Sequence, residues 1–477
     1  MSRVVAVCMI ASFSVLAPLL EGSLGGGRGW LLGFLIIILL PAATRAGGPR
    51  FHPLDPELAV PLMYFLSAGY SPLLHRLTAR DFALNTAEIN AVQVSYVGAV
   101  TCALVCAALS RAPKEAITAA ISVLPERILP RDWAVIATGM AGAIMVIAFI
   151  ATTGLSTLMT ASYADTYTYE QGKGVLVAGW YVIQLAIVHC VARIADFRRV
   201  GKKVPAILYA SGIVWVMAFS LNTVLGKRGP ILWVLLSSAF CLHVSGFKIR
   251  RIWMVLAAGL IVIYSFAVEG YRTQLGQGAE KGLEAAQSNL ERIDNPAVIN
   301  ELEVVFSNLV IVVNEDPPIV TYPGESWVNA FLILIPKPIW RERPLSMSYR
   351  FVQWYSPSMW ASGGGLAFNA TAEGFVNMGE VGVIVEIALF TALFFFGPIA
   401  VCLSKLRDPL WRALACSMAS FTYYQYRGEL AGLLKIDLAV IFAALIVLLV
   451  DNGFILASHQ LKRYDPGSVL KGRSRPG

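Results

Sequence analysis

Apolar runs of roughly 17–22 residues, each long enough to cross a ~30 Å hydrocarbon core as a helix, recur along almost the whole chain. Lipid offers no partners to backbone N–H and C=O groups, so such a run must close its hydrogen bonds within itself. That requirement predicts an all-α polytopic membrane protein. Composition agrees: of 477 residues 57% are hydrophobic and only 14% charged, against about 25% charged in soluble domains.

The pattern predicts twelve transmembrane helices, over 4–20, 29–44, 58–74, 89–109, 133–154, 174–194, 205–225, 230–246, 252–268, 382–403, 412–427 and 436–456. Pro61 and Pro72 interrupt the third, and aromatic residues crowd the end of the eleventh. The first run, behind Arg3, mimics a signal peptide. No small-x-small cleavage site comes after it, so it is read as a retained helix.

Lys and Arg concentrate on cytoplasmic links. Placing both termini inside collects Arg111, Lys114, Arg127 and Arg131, then Arg198, Arg199, Lys202 and Lys203, then Lys248, Arg250 and Arg251, then Lys405, Arg407 and the tail from Lys462 on that side. The net charge of +8 therefore serves topology, and no nucleic-acid partner is implied. The chain divides into helices 1–9 (1–269), a large outer, mostly helical loop (270–380), helices 10–12 (381–456) and a basic tail (457–477). All seven cysteines fall in predicted spans, without CxxC spacing, so neither a disulfide framework nor a zinc site is expected. No internal repeat is found.

A loop this long is usually functional, and its charge is segregated. Its first half is acidic. There "EKGLEAAQSNLERI" has helical spacing, with Leu283, Ala286, Leu290 and Ile293 on one face. Its second half holds "WVNAFLILIPKPIW", Trp327 to Trp340, apolar but too short to span, which suggests an interfacial or re-entrant segment. Lys337, Arg341, Arg343 and Arg350 lie in and beyond it, with Glu342 the lone acid among them. The same face carries Lys227 and Arg228 in a tight link, Arg272 after the ninth span, and Arg427 after the eleventh. Topology does not call for cations there. Convergent guanidinium groups suit an anion, phosphate above all, because the Arg fork bonds two oxygens at once. The bland alternative is snorkelling to lipid headgroups, which stands beside the functional reading for Arg427 and is preferred for Arg76 and Arg80.

A membrane-embedded anion reached from outside suggests a lipid diphosphate. Arginines would hold it and stabilise it as a leaving group while a sugar hydroxyl attacks. Glu373 in "NATAEGFVNMG" is the candidate base, with a plain surface Glu as the alternative. Glu386 lies inside the tenth span, either as a functional acid or as a partner for an Arg. No metal or cofactor is expected: the first outer loop has Glu21 but no diacid, and no HExxH, Walker or GxSxG motif occurs. "GGGRG" reads as a turn. His189 and His243 read as core histidines.

At these residues the chain resembles a known family. "PGESWVNAFLILIPKPIWRERP" (Pro323 to Pro344), "AEGFVNMGEVGV" (Ala372 to Val383) and "LGKRGPIL" (Leu225 to Leu232), within the hydropathy plan, are similar to the O-antigen polymerases, Wzy-type enzymes of bacterial surface polysaccharide assembly. The resemblance implies a GT-C-like helical fold with its large loop in the periplasm. It implies a metal-independent glycosyltransferase of the inner membrane that transfers a growing glycan from undecaprenyl diphosphate to the next lipid-linked repeat unit. A chain-length regulator would be a partner. Carried over, Arg228, Arg272, Arg341 and Arg343 would contact the diphosphate. On charge alone Lys227, Arg350 and Arg427 join them, and charge, more than the resemblance, places Glu373 near the acceptor hydroxyl. One departure stands: an Arg, ten residues, then Gly pattern of some members occurs only at Arg131 to Gly142, on the predicted inner side. The rivals are an O-antigen ligase, disfavoured because the large loop has no histidine, a lipid-linked oligosaccharide flippase, and a non-catalytic scaffold.

Overall fold

The computed structural model describes residues 3–43, 55–73, 84–109, 132–160, 173–225, 229–247, 249, 251–274, 279–291, 300–337, 339–361, 365–402 and 408–463. Among them the chain is helical, without a strand. The helices used below are α1 (Arg3–Phe13), α2 (Leu16–Leu24), α3 (Arg28–Ala43), α4 (Pro56–Ala68), α5 (Thr86–Leu109) and α6 (Asp132–Thr153). Then come α7 (Gly179–Arg199), α8 (Ala206–Val224), α9 (Gly229–Val244), α10 (Arg251–Thr273), α11 (Ala279–Glu291) and α12 (Asn300–Glu315). The last are α13 (Glu325–Leu332), α14 (Met347–Tyr355), α15 (Ala370–Leu389), α16 (Pro409–Arg427) and α17 (Leu430–Arg463).

Helices stand where all twelve spans are predicted, α1 and α2 together being the first. Among the described residues, seven stretches are long and apolar enough to cross a bilayer: Val7–Leu24, Thr86–Leu109, Ala134–Thr153, Gly174–Arg199, Ala206–Thr223, Ala370–Cys402 and Leu430–Leu449. Arg28–Leu40, Leu58–Ala68 and Gly229–Val244 are apolar but shorter. This is the make-up of a multi-pass helical membrane protein. α16 falls in neither group because it carries Arg412, Ser417, Ser420 and Thr422. All four are at most 1% exposed, so neighbouring helices, not lipid, surround that polar stripe.

α15 is two helical arms. The first, 370–377, is an addition to the expectation and is capped by Asn369, whose Oδ1 accepts from the Ala372 N–H at 2.6 Å. The second begins at 380, after the break at Met378–Gly379, at the predicted loop boundary and two residues before the predicted span. One boundary differs from expectation. α17 begins at Leu430, six residues before the predicted 436. Beyond α15 the chain winds as a π-helix over Phe390–Phe396.

Polar contacts tie the helices together at both ends of the bundle. At one end the Glu21 carboxylate accepts from the Gly27 and Gly29 N–H groups at 2.8 and 2.9 Å, holding "GGGRG" as a turn. There Asn90 of α5 meets Asn314 of α12 at 2.9 Å, and the Asn308 amide donates to the Ala367 carbonyl at 2.7 Å. At the other end Asp55 meets His243 at 3.1 Å, and Asp196 of α7 pairs with Arg412 of α16 at 2.5 Å. α6 and α7 approach at Gly142 and Gly179, where a Cβ on either would lie 2.9 or 2.7 Å from the other's carbonyl oxygen. Small residues allow this close backbone packing between apolar helices. Val146, Phe149, Trp180, Ile183, Trp215 and Phe219 fill the space between α6, α7 and α8.

α11 forms as the spacing predicts. Of its predicted apolar face, Leu283 is exposed. Ala286 lies at the contact with α10, where Gly270 approaches the Ala285 and Ala286 backbone and Gly282 lies against Tyr271. Ile293 and the side chain of Leu290 lie outside the described residues.

Candidate functional site

The site is organised by a reversal inside α15. Met378 (φ −153°, ψ 27°) and Gly379 (φ 60°, ψ −144°) leave the helical region and break the helix in two. Residues 370–377 and 380–389 then fold against each other. A Cβ on Gly382 would lie 1.9 Å from the Gly374 carbonyl oxygen. Glu373 and Glu386 would stand about 20 Å apart on a straight helix. Here they are electrostatic neighbours, with Glu429 close to both.

Consecutive side chains of α13 close over this corner. Ser326 Oγ donates to Glu373 Oε1 at 2.7 Å, and Trp327 Nε1 donates to Glu386 Oε2 at 2.9 Å. Asn377 ties the arrangement: its amide donates to Ser326 Oγ at 2.6 Å and to the Glu373 carbonyl at 2.8 Å. The Leu430 N–H donates to Glu373 Oε2 at 2.7 Å, so Glu373 supplies the acceptor that the first N–H of α17 lacks. Glu429 in turn accepts from the Ser348 N–H at 2.9 Å.

Glu373 therefore lies inside the fold, 1% exposed with both oxygens engaged, rather than on a loop surface. Glu386 pairs with an indole and not with the Arg that the sequence allows as its partner. Glu429 is buried too, though less completely, at 8% exposed.

The predicted cations divide. Arg343 is occupied: its NH1 donates to the Ile333 carbonyl and, at 2.8 Å, to that of Ile335, closing the turn after α13. Arg350 is occupied too, by the Ile319 carbonyl at 3.0 Å and Glu325 Oε1 at 2.6 Å. Lys337 and Arg341 are exposed. Arg427 is partly buried at the end of α16 and engaged with other groups. Lys227 and Arg228 lie outside the described residues, as does the side chain of Arg272. Lys435, one turn into α17, was not anticipated. It lies within electrostatic reach of Glu429, Arg343 and Lys337. Its sequence signal is a lysine at the mouth of an apolar run, on the face where topology does not need one. Asp437 was also missed. It is 5% exposed, and its Oδ1 has no hydrogen-bond partner among the described residues.

The apolar segment has the form expected of an interfacial element. Ala330 and Ile333 are buried, while Val328, Phe331, Ile339 and Trp340 are exposed beside Lys337 and Arg341.

Glu325 anchors this segment. Burial pushes its carboxyl up. The Thr321 N–H and hydroxyl, at 2.6 and 2.7 Å, and the Arg350 guanidinium more than offset that and bring it down to about 2. A depressed folded value means that the stabilisation is fully present above the ordinary value of 4.5. It is lost as pH falls through about 2. Protection from hydrogen exchange over residues 319–350, taken relative to the intrinsic exchange rate at each pH, is expected to fall progressively from pH 5 to pH 2. In Glu325→Gln that protection should already be low at pH 6, with a flatter profile over that range.

No family model, curated protein or solved structure matches this chain.

Proposed function

We propose that the chain is a polysaccharide polymerase that joins undecaprenyl-diphosphate-linked oligosaccharide repeat units at the periplasmic face of a bacterial inner membrane. The observation that carries this reading is that Lys435, at one end of a helical membrane bundle, lies within electrostatic reach of the Glu429 carboxylate and of the cations Arg343 and Lys337. A group-transfer site for a lipid diphosphate needs both: cations for the leaving diphosphate and a carboxylate for the attacking hydroxyl.

In this reading Lys337, Arg341 and Lys435 grip the diphosphate, and Arg343 shapes the turn that presents them. The acceptor hydroxyl oxygen bonds to the anomeric carbon of the donor. The bond from that carbon to the diphosphate breaks, its electron pair leaves with the lipid diphosphate, and the hydroxyl proton passes to Glu429. Glu373 acts as a positioning residue: by capping α17 it fixes Glu429 and Lys435. The exposed apolar residues from Val328 to Trp340 rest in the membrane interface, where the lipid carrier lies.

The test is a gel of surface glycan from cells whose own gene is replaced by variants. Arg341→Ala and Glu429→Gln are expected to leave single repeat units on the core, with polymer reduced about 10²–10⁴-fold for the lost base. Long chains retained on the carrier would indicate a ligase, and single units trapped inside a flippase. Normal ladders from both variants would remove the assignment.

A further inference from the structure

The corner of α15 leaves a charge problem that the polymerase reading does not use. Glu373 and Glu386 are each 1% exposed and electrostatic neighbours. Buried charges are ordinarily paired or bound to a cation. Among the described residues, no Lys, Arg or His side chain hydrogen-bonds or ion-pairs with either. The donors from other residues are neutral: the Ser326 hydroxyl and Leu430 N–H for Glu373, the Trp327 indole for Glu386. The two carboxyls lie within hydrogen-bonding reach of each other, and Glu386 Oε1 is buried with no donor from any other described residue. It belongs to the carboxyl that the helix reversal folds back onto Glu373.

We infer that the corner binds one small monovalent cation, Na⁺ or a hydron, between Glu386 Oε1 and the Glu373 carboxylate. A divalent ion fits poorly. Ca²⁺ takes six to eight oxygens, and no group of three or more metal-ligating side chains occurs among the described residues. A single positive charge between two carboxylates relieves their mutual repulsion, which is strong away from water. Its neighbours on every packed element are accounted for. α13 presents Ser326 and Trp327, the first arm of α15 presents Asn377, and the link to α17 presents the Leu430 N–H and the third carboxyl, Glu429.

Occupancy has a structural consequence. The cation holds together the two arms of α15, and through Ser326 and Trp327 it holds α13. α13 runs on into the turn bearing Lys337, Arg341 and Arg343. The bound cation therefore sets the position of the cationic rim, and the inference stands whether or not the polymerase reading does.

The experiment uses full-length protein in lipid nanodiscs. Equilibrium binding of ²²Na⁺ is measured directly, and thermal unfolding is followed in NaCl against choline chloride at constant ionic strength. If Na⁺ is the occupant, one ion binds per chain. The unfolding midpoint then rises saturably by about 2–5 °C, and Glu386→Gln abolishes both effects. The amide carbonyl of that variant can still accept from Trp327, and Glu373→Gln replaces it if it fails to fold. If the hydron is the occupant, no ²²Na⁺ binds, and the wild-type midpoint falls between pH 6 and 9 while that of the variant stays level. No bound Na⁺, together with the same pH dependence in wild type and variant, overturns the inference.

Discussion

Arg412→Ala is expected to destabilise the fold by about 3–5 kcal/mol, the usual cost of removing one partner from a buried ion pair. Arg412 is wholly buried. It donates to Asp196 at 2.5 Å and to the Ala192 carbonyl at 3.3 Å, joining α16 to α7. The alanine leaves Asp196, 5% exposed, without its principal counter-charge. Arg193 and Arg199 lie within electrostatic reach but do not replace the lost contact, since the Arg193 guanidinium faces the Phe197 ring at 5.1 Å. Restoring balance should restore stability. Arg412→Met combined with Asp196→Leu is expected to recover most of the loss, because replacing a whole buried pair by apolar groups is often neutral or better. Thermal unfolding read by a thiol-reactive dye measures both, since six of the seven cysteines are buried and Cys8 is exposed. Equal midpoints for wild type and Arg412→Ala would show that the pair does not hold α7 to α16.

The helices were legible because their signal is local. Each apolar run coincides with helix, and the first, α1–α2, is broken only at Ser14–Val15. The paths of α16 and α15 were less legible, for different reasons. Hydropathy treats Arg412, Ser420 and Thr422 as a penalty against burial in a membrane. Only packing shows that α16 is sheltered and that its polar groups meet partners such as Ser237, 2.5 Å from Ser420. In α15 the apolar count starts the span at 382, close to the second arm at 380, but it misses the short first arm, 370–377, that Asn369 caps. Asn369 is a good N-cap type three residues before an alanine. That signal is present in the sequence but is outweighed by the strong hydropathy of residues 382–403.

The candidate site was legible as a charge anomaly and not as a geometry. Lys337, Arg341 and Glu373 were noticed because they break the composition of their surroundings. Which of them are free was not readable. Arg343 and Arg350 are consumed by carbonyls and by Glu325, contacts between residues 8 to 31 positions apart in the chain. Glu429 and Lys435 gain meaning only when Glu373, more than fifty residues upstream, caps the helix between them.

Gly382→Ala is expected to be the most damaging single-methyl change at the corner. The new Cβ would stand 1.9 Å from the Gly374 carbonyl oxygen, a backbone atom that no side-chain rotation can move. The two arms of α15 must separate, at about 3 kcal/mol or more, and with them the contacts of Ser326 and Trp327 to Glu373 and Glu386. Gly374→Ala meets the Gly382 carbonyl oxygen at 2.7 Å and should cost less. Gly379→Ala meets no neighbouring atom, but its φ of +60° with ψ of −144° belongs almost solely to glycine, at about 1–3 kcal/mol. Gly432→Ala is the control: its nearest neighbour, Glu429 Cγ, is 4.0 Å away, so stability should hold within about 0.5 kcal/mol. Thermal unfolding of the four variants tests the order. A Gly382→Ala protein as stable as Gly432→Ala would mean that the helix does not reverse at Met378–Gly379, and the pairing of Glu373 with Glu386 would go with it.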